Sequence, residues 1–256
     1  MQKNLMVILE RYLTPEGVRL RIGGIVTRDV AHYYGVPHGA VQVAVVAPKV
    51  VQGRMVPQVL LHWRSRWKKT YPETWDICGG HIDAVERILT DETAWEDQRF
   101  IQGLFAATAL REANEEVRLR RHPDFQFREE HIRCFGGLGV FECGFDDPGA
   151  QNREYSALYF AFVPGDVLTV GESDDVEEIF LVEDTVGFEG QKKEEVASRL
   201  KLVSLPDLVL DFTKNPDSYA DGIARILSRA RDEPGTRRML FEFVRSHYQG
   251  AGSGRV

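Results

Sequence analysis

Glu112, Glu115 and Glu116 crowd into one short run beside Arg111, reading REANEEV from Arg111 to Val117. The approach from Leu104 to Leu110 is rich in alanine and leucine. Neither proline nor glycine interrupts it after Gly103, so the spacing predicts a helix over residues 103–117. On a helix, Glu112 lies one turn from both Glu115 and Glu116, and the three carboxylates share a face. Like charges held so close repel, and a divalent cation between them relieves the repulsion. Oxygen donors suit hard cations such as Mg2+ or Mn2+. Arg111 can form ordinary ion pairs along the same helix. A solvated acidic helix face is the plainer reading of the same residues.

Two stretches upstream bear on that chemistry. Thr74–Asp83, TWDICGGHID, has strand character and ends on the pair Gly79 and Gly80. Without a Cβ, these residues let backbone approach a ligand closely. Just before it, His62, Arg64, Arg66, Lys68 and Lys69 form a basic run. Arg64, Arg66, Lys68 and Lys69, with Gly79 and Gly80, are candidate substrate-binding residues for phosphate oxygens. An ordinary solvated charge run is the alternative. Between Gly80 and the glutamates, Arg87–Gln102 is largely polar and reads as an inserted loop or short helix.

Composition bounds the class. The chain has 256 residues, 43% hydrophobic and 28% charged, which is enough for a substantial core. A net charge near -7 disfavours a nucleic-acid polymer as partner. Cys78, Cys134 and Cys143 have neither disulfide nor zinc-knuckle spacing. They fit a reducing compartment, and a cytoplasmic location is expected. The N-terminus, MQKNLMVILERYL, has too short an apolar run for a cleavable signal, and no stretch is long enough to span a membrane. The final GAGSGRV reads as a disordered tail.

Along the chain, residues 5–12 and 19–28 read as strands around a turn at Pro15–Gly17, and His32–Gly39 as a loop. Ala40–Val46 and Val56–Trp63 read as a hairpin across a Gln-Gly turn. Phe125–Phe127 and His131–Phe145 read as strands, the second broken at Gly136–Gly137. Glu154–Val163, EYSALYFAFV, is apolar enough to be a central strand, with Glu154 at its start. Ser204 and Pro206 start a helix from Asp207 to about Phe212. Tyr219–Arg231 and Thr236–His247 are amphipathic helices, read as a cap on the core, with a homodimer surface as the alternative.

Taken together, Gly80–Leu119 resembles the signature of the Nudix hydrolases: glycine, five residues, glutamate, seven residues, then Arg-Glu-aliphatic-any-Glu-Glu-any-Gly-aliphatic. Here the run is Gly80, HIDAV, Glu86, then 24 residues where the signature has seven, then Arg111, Glu112, Glu115 and Glu116, with Arg118 in place of the closing glycine. The flank Val59–Asp83 is similar to the isopentenyl-diphosphate-isomerase-like branch, and the similarity spans about residues 38–215. The resemblance implies an α/β fold, the Nudix α/β/α sandwich with a mixed sheet. It would comprise an N-terminal extension (1–35), the Nudix domain (36–215, insertion about 87–102) and C-terminal helices (216–256).

The implied chemistry is hydrolysis of a diphosphate linkage in a small molecule, with Mg2+ or Mn2+ as cofactor. Glu112, Glu115 and Glu116 would hold the metal, and Glu154, near a later strand, could join them. Glu116, Glu115 and Arg111 would be catalytic, with Asp175 or Glu178 in an acidic loop as candidate general bases. The rival implied by the same flank is isomerisation of isopentenyl diphosphate, with Cys78 as the thiol and His38 and His81 near that branch's metal histidines. There the usual acidic pair is only Asn152 and Glu154. A third reading is a Nudix-shaped binding module without turnover.

Overall fold

The computed structural model describes residues 5–68, 70–147, 150–168, 179–186, 192–196 and 199–249. In chain order the elements are β1 (Leu5–Thr14), β2 (Gly17–Thr27), α1 (Arg28–Tyr34), β3 (His38–Val51), β4 (Arg54–Trp63), β5 (Trp75–Asp76), β6 (Cys78–His81), α2 (Glu86–Thr90), α3 (Gln98–Glu116), β7 (Val117–Leu119), β8 (Ile132–Cys134), β9 (Val140–Asp147), β10 (Ala150–Phe162), β11 (Ile179–Val186), β12 (Lys192–Val196), β13 (Leu200–Val203), α4 (Leu205–Lys214), α5 (Asp221–Asp232) and α6 (Pro234–Gln249).

The architecture is an α/β/α sandwich. Strand β3 is its axis. It pairs antiparallel with β4 and β6 and parallel with β10, from Glu154↔His38 to Phe162↔Val46, so the sheet is mixed. Both central strands are apolar on both faces, as strands covered on two sides must be. Val41, Val43 and Val45 of β3, with Ala157, Tyr159 and Ala161 of β10, pack in one core with Ile101, Phe105, Ala109 and Ala113 of α3. Ala44 and Val46, with Leu158, Phe160 and Phe162, pack in a second core with α4, α5 and α6. Tyr248 of α6 locks the second layer down, its hydroxyl lying 3.0 Å from the carbonyl oxygens of both Val46 and Val163.

Three local expectations are corrected. The long helix begins at Gln98, because Asp97 accepts hydrogen bonds from the Arg99 and Phe100 amides at 3.0 and 3.1 Å. Gly103 is therefore interior to it. Residues 28–34 form α1, so His32 stands on a helix rather than in a loop. Phe125–Phe127 is not a strand: the Phe127 amide and carbonyl are bonded by the Asn114 side chain instead of a neighbouring strand. At the far end of α3, Arg118 needs no left-handed turn. Val117 is already extended, and the Arg118 guanidinium donates to the Asn114 and Val117 carbonyls left open by the helix end.

Phe160 is 1% exposed and touches both Phe135 and Phe243 across the second core. Phe160→Ala is expected to lower unfolding free energy by about 3–5 kcal/mol in urea denaturation. A loss under about 1 kcal/mol would show that this layer contributes little to the fold.

Candidate active site

Strand β6 places the chemistry. Its side chains alternate between the two faces of the sheet. Cys78 and Gly80 face α3, and Gly79 and His81 face the other side. Gly80 permits the closest contact: a Cβ there would lie 1.9 Å from Glu112 Oε1. A Cβ on Gly79 would instead meet the Val41 carbonyl oxygen at 2.7 Å. The pair thus lets β6 lie tight against both the helix and its neighbouring strand.

On the α3 face, Arg111 gathers the acids. Its Nη2 lies 2.7 Å from Glu112 Oε1 and 3.2 Å from Asp83 Oδ2, and its Nη1 lies 2.9 Å from Glu115 Oε2. Nη2 also donates to the His81 carbonyl at 3.2 Å, tying the helix to β6. The arginine therefore spreads over three carboxylates rather than clamping one. Burial pushes the Glu112 carboxyl up to about 7 against the pull of Arg111. Burial, and then Glu116, raise the Cys78 thiol, which hydrogen-bonds Glu116. Glu115 is exposed and Glu116 half-buried, so the set runs from core to solvent. Asp83 was missed in the sequence because it sits outside the helix run. Glu86 is exposed at the start of α2 and belongs to none of these contacts among the described residues.

The other face holds a second constellation. His32, His38 and His81 present ring nitrogens within 4.8 Å of one another, a spacing that could hold a metal ion. His81 Nε2 lies 3.2 Å from Glu154 Oε1, and Asn152 Nδ2 donates to the same oxygen at 2.6 Å. The Cys143 thiol lies 3.3 Å from both Glu154 Oε2 and Ser156 Oγ. Glu154 thus belongs with the histidines and not with the helix carboxylates, because β10 turns it to the face opposite α3. Burial and the neighbouring His81 hold His32 and His38 down to about 3 and about 4, so both imidazoles are neutral near pH 7. Burial alone would raise Glu154, but hydrogen bonding from His81 and Asn152 holds it well below the usual range. The Nε2 atoms of His32 and His38 are buried without a hydrogen-bond partner. His32 and Cys143 were missed in the sequence; only parallel pairing of β10 with β3 and packing of α1 bring them in.

The basic run takes other places. Arg64 is committed to structure: it pairs with Asp76 at 2.7 Å and donates to the Thr70 and Tyr71 carbonyls at 3.0 and 3.2 Å. That holds a loop in which Tyr71 and Glu73 carry positive φ, 48° and 56°. Arg66 stacks on exposed Trp67, and Lys68 is half-buried. Lys69, Asp175 and Glu178 lie outside the described residues.

A methyl group at position 80 would displace the Glu112 carboxylate, which can swing, whereas one at position 79 would strike backbone. Gly80→Ala is therefore expected to weaken Mn2+ binding, read by calorimetry, on the order of tenfold while the protein stays folded. Unchanged Mn2+ affinity would show that Glu112 does not need its seat on β6.

A family model, the NUDIX domain, matches residues 40–217. No curated protein matches the chain. Similar solved structures include RenU, a Nudix hydrolase from M. smegmatis, at 18% identity, covering 89% of this chain and 96% of that one with a TM-score of 0.34. C. elegans Ap4A hydrolase, in a binary complex, is 15% identical over 67% of this chain and 83% of that one, TM-score 0.33. The NUDIX domain of Shewanella oneidensis NrtR, complexed with ADP ribose, is 16% identical over 76% and 87%, TM-score 0.36. With the matched domain covering more than half of its length, the chain belongs to the NUDIX family and is an enzyme of the phosphoanhydride-hydrolase class.

Proposed function

We propose that this chain hydrolyses a diphosphate linkage in a nucleoside-diphosphate-type or related small molecule, with Mg2+ or Mn2+ as cofactor. One observation carries the reading: Arg111 holds Asp83, Glu112 and Glu115 together while Glu112 rests on Gly80. The donor set fits such an ion. It is all oxygen, partly buried, and its acids outnumber its one arginine. When bound, a divalent cation supplies charge neutralisation for the phosphoryl oxygens.

The chain's own groups do the rest. Arg111 positions Glu112 and Glu115, and Glu112, Glu115 and Glu116 supply the ligand oxygens. Glu116 or Glu115 would take the proton of the attacking water, with Asp175 and Glu178 retained as loop candidates for that base. Gly79 and Gly80, pressed against Val41 and Glu112, help shape the metal site by seating β6 on α3. Free Cys78, Cys134 and Cys143 support a cytoplasmic setting. No described helix is long and apolar enough to cross a membrane.

A second reading, proton transfer at carbon as in isopentenyl diphosphate isomerisation, is favoured by the histidine constellation. Its thiol would be Cys143 rather than Cys78, which faces Glu116 on the opposite side of the sheet. Burial, and then the neighbouring Glu154, keep the Cys143 thiol in its protonated form. Glu154, held ionised, would accept the proton lost from the neighbouring carbon.

The test is a panel of nucleoside triphosphates, ADP-ribose, dinucleotides, sugar nucleotides and isopentenyl diphosphate, with Mg2+ or Mn2+ at slightly alkaline pH. Phosphate release and isomer ratio are both read. Release that falls at least about 100-fold in Glu116→Gln is the expected result. Isomer exchange lost in Cys143→Ala, with no release, would replace the hydrolase reading by the second. Mn2+ bound without turnover of any compound would favour a binding module.

A further inference from the structure

The step along β6 matches the step along α3. Alternate residues of a strand lie about 6.6 Å apart, and residues four apart on a helix lie about 6 Å apart. Two groups on one face of β6 can therefore each meet one of two acids a turn apart on α3. Gly80 lies against Glu112, where a Cβ would come within 1.9 Å of Oε1. Two residues back on the strand, and one turn on along the helix, the Cys78 thiol hydrogen-bonds Glu116. The approach is close because Ala109 and Ala113, packed in the same core as Cys78, are small and fully buried. Ile77 packs in the opposite core, which fixes the direction in which Cys78 faces.

Glu116 is the acid that most needs such a partner. Arg111 gathers Asp83, Glu112 and Glu115. Glu116 is the last residue of α3, at the negative end of the helix, where the dipole disfavours a carboxylate. Cys78 is 2% exposed and held in register opposite Val43, so its thiol is kept from water. A thiol donates and an ionised carboxylate only accepts, so the S–H points at one Glu116 oxygen.

We propose that Cys78 is a positioning residue for the acidic site: its S–H holds one oxygen of Glu116 and leaves the other turned toward the metal. The thiol itself touches neither metal nor substrate. The inference rests on the reading of Glu116 as a metal ligand, and its effect on turnover rests further on the hydrolase reading.

Mn2+ binding to the full chain is followed by electron paramagnetic resonance, and turnover on whichever diphosphate the panel identifies. Cys78→Ala and Cys78→Ser both shrink the side chain, but only serine keeps a donor. Cys78→Ala is expected to weaken, at least about tenfold, the Mn2+ site that Glu116→Gln also weakens. At saturating Mn2+ it lowers kcat by a similar factor and leaves KM for the diphosphate in place. Cys78→Ser recovers most of both. Cys78→Val, which keeps apolar volume without a donor, repeats the loss should the alanine variant unfold, with circular dichroism reporting the fold. Equal losses in the alanine and serine variants would mark packing alone and overturn the proposal. Mn2+ affinity that falls in Glu116→Gln but in neither donorless variant overturns this inference and leaves the hydrolase reading standing. Mn2+ affinity unmoved by Glu116→Gln overturns the ligand role of Glu116, and the inference with it.

Discussion

The contact between α3 and β6 is the constraint on which the site depends. A helix carrying several acids does not naturally press its carboxylates into a sheet, because desolvation penalises each charge. Here two things permit it. Gly80 has no side chain in the way, and Arg111 answers three acids and a strand carbonyl at once. The cost that remains shows in Glu112, whose carboxyl is pushed up to about 7 by burial. A site held in this state is arranged to gain from added positive charge.

The same strand serves the other face. Alternation along four residues sends Cys78 and Gly80 toward the glutamates and His81 toward His32, His38 and Glu154. Two polar constellations of different chemistry thus lie back to back across one sheet. One offers oxygen donors, and the other neutral nitrogens with a carboxylate and a thiol. Donors of the second kind suit metals of the zinc, iron and nickel type better than Mg2+. The β3–β10 pairing and the two apolar cores hold both in place, since neither constellation has enough contacts to order itself.

Much of this was legible in the sequence. The glutamate helix announces itself by spacing and composition, and the apolar strands β3 and β10 by their continuous valine, alanine and phenylalanine runs. The helix start was missed because its cap, Asp97, stands in a polar stretch with no strong period. The tie of Arg64 to its own loop was not legible, because a basic run looks alike whether it faces phosphate or its own loop carbonyls.

By itself, then, the sequence determined the type of fold and the helix that carries the acids, because periodicity and propensity are local properties. It could not determine which distant residues join that helix. Asp83 meets Arg111, and Cys143 rather than Cys78 meets Glu154, only through strand register and the pleat. A one-residue change of register sends every side chain to the opposite face. Tertiary structure alone decided that Glu154 stands with the histidines, because parallel pairing sets it beside His38 on the face turned away from α3.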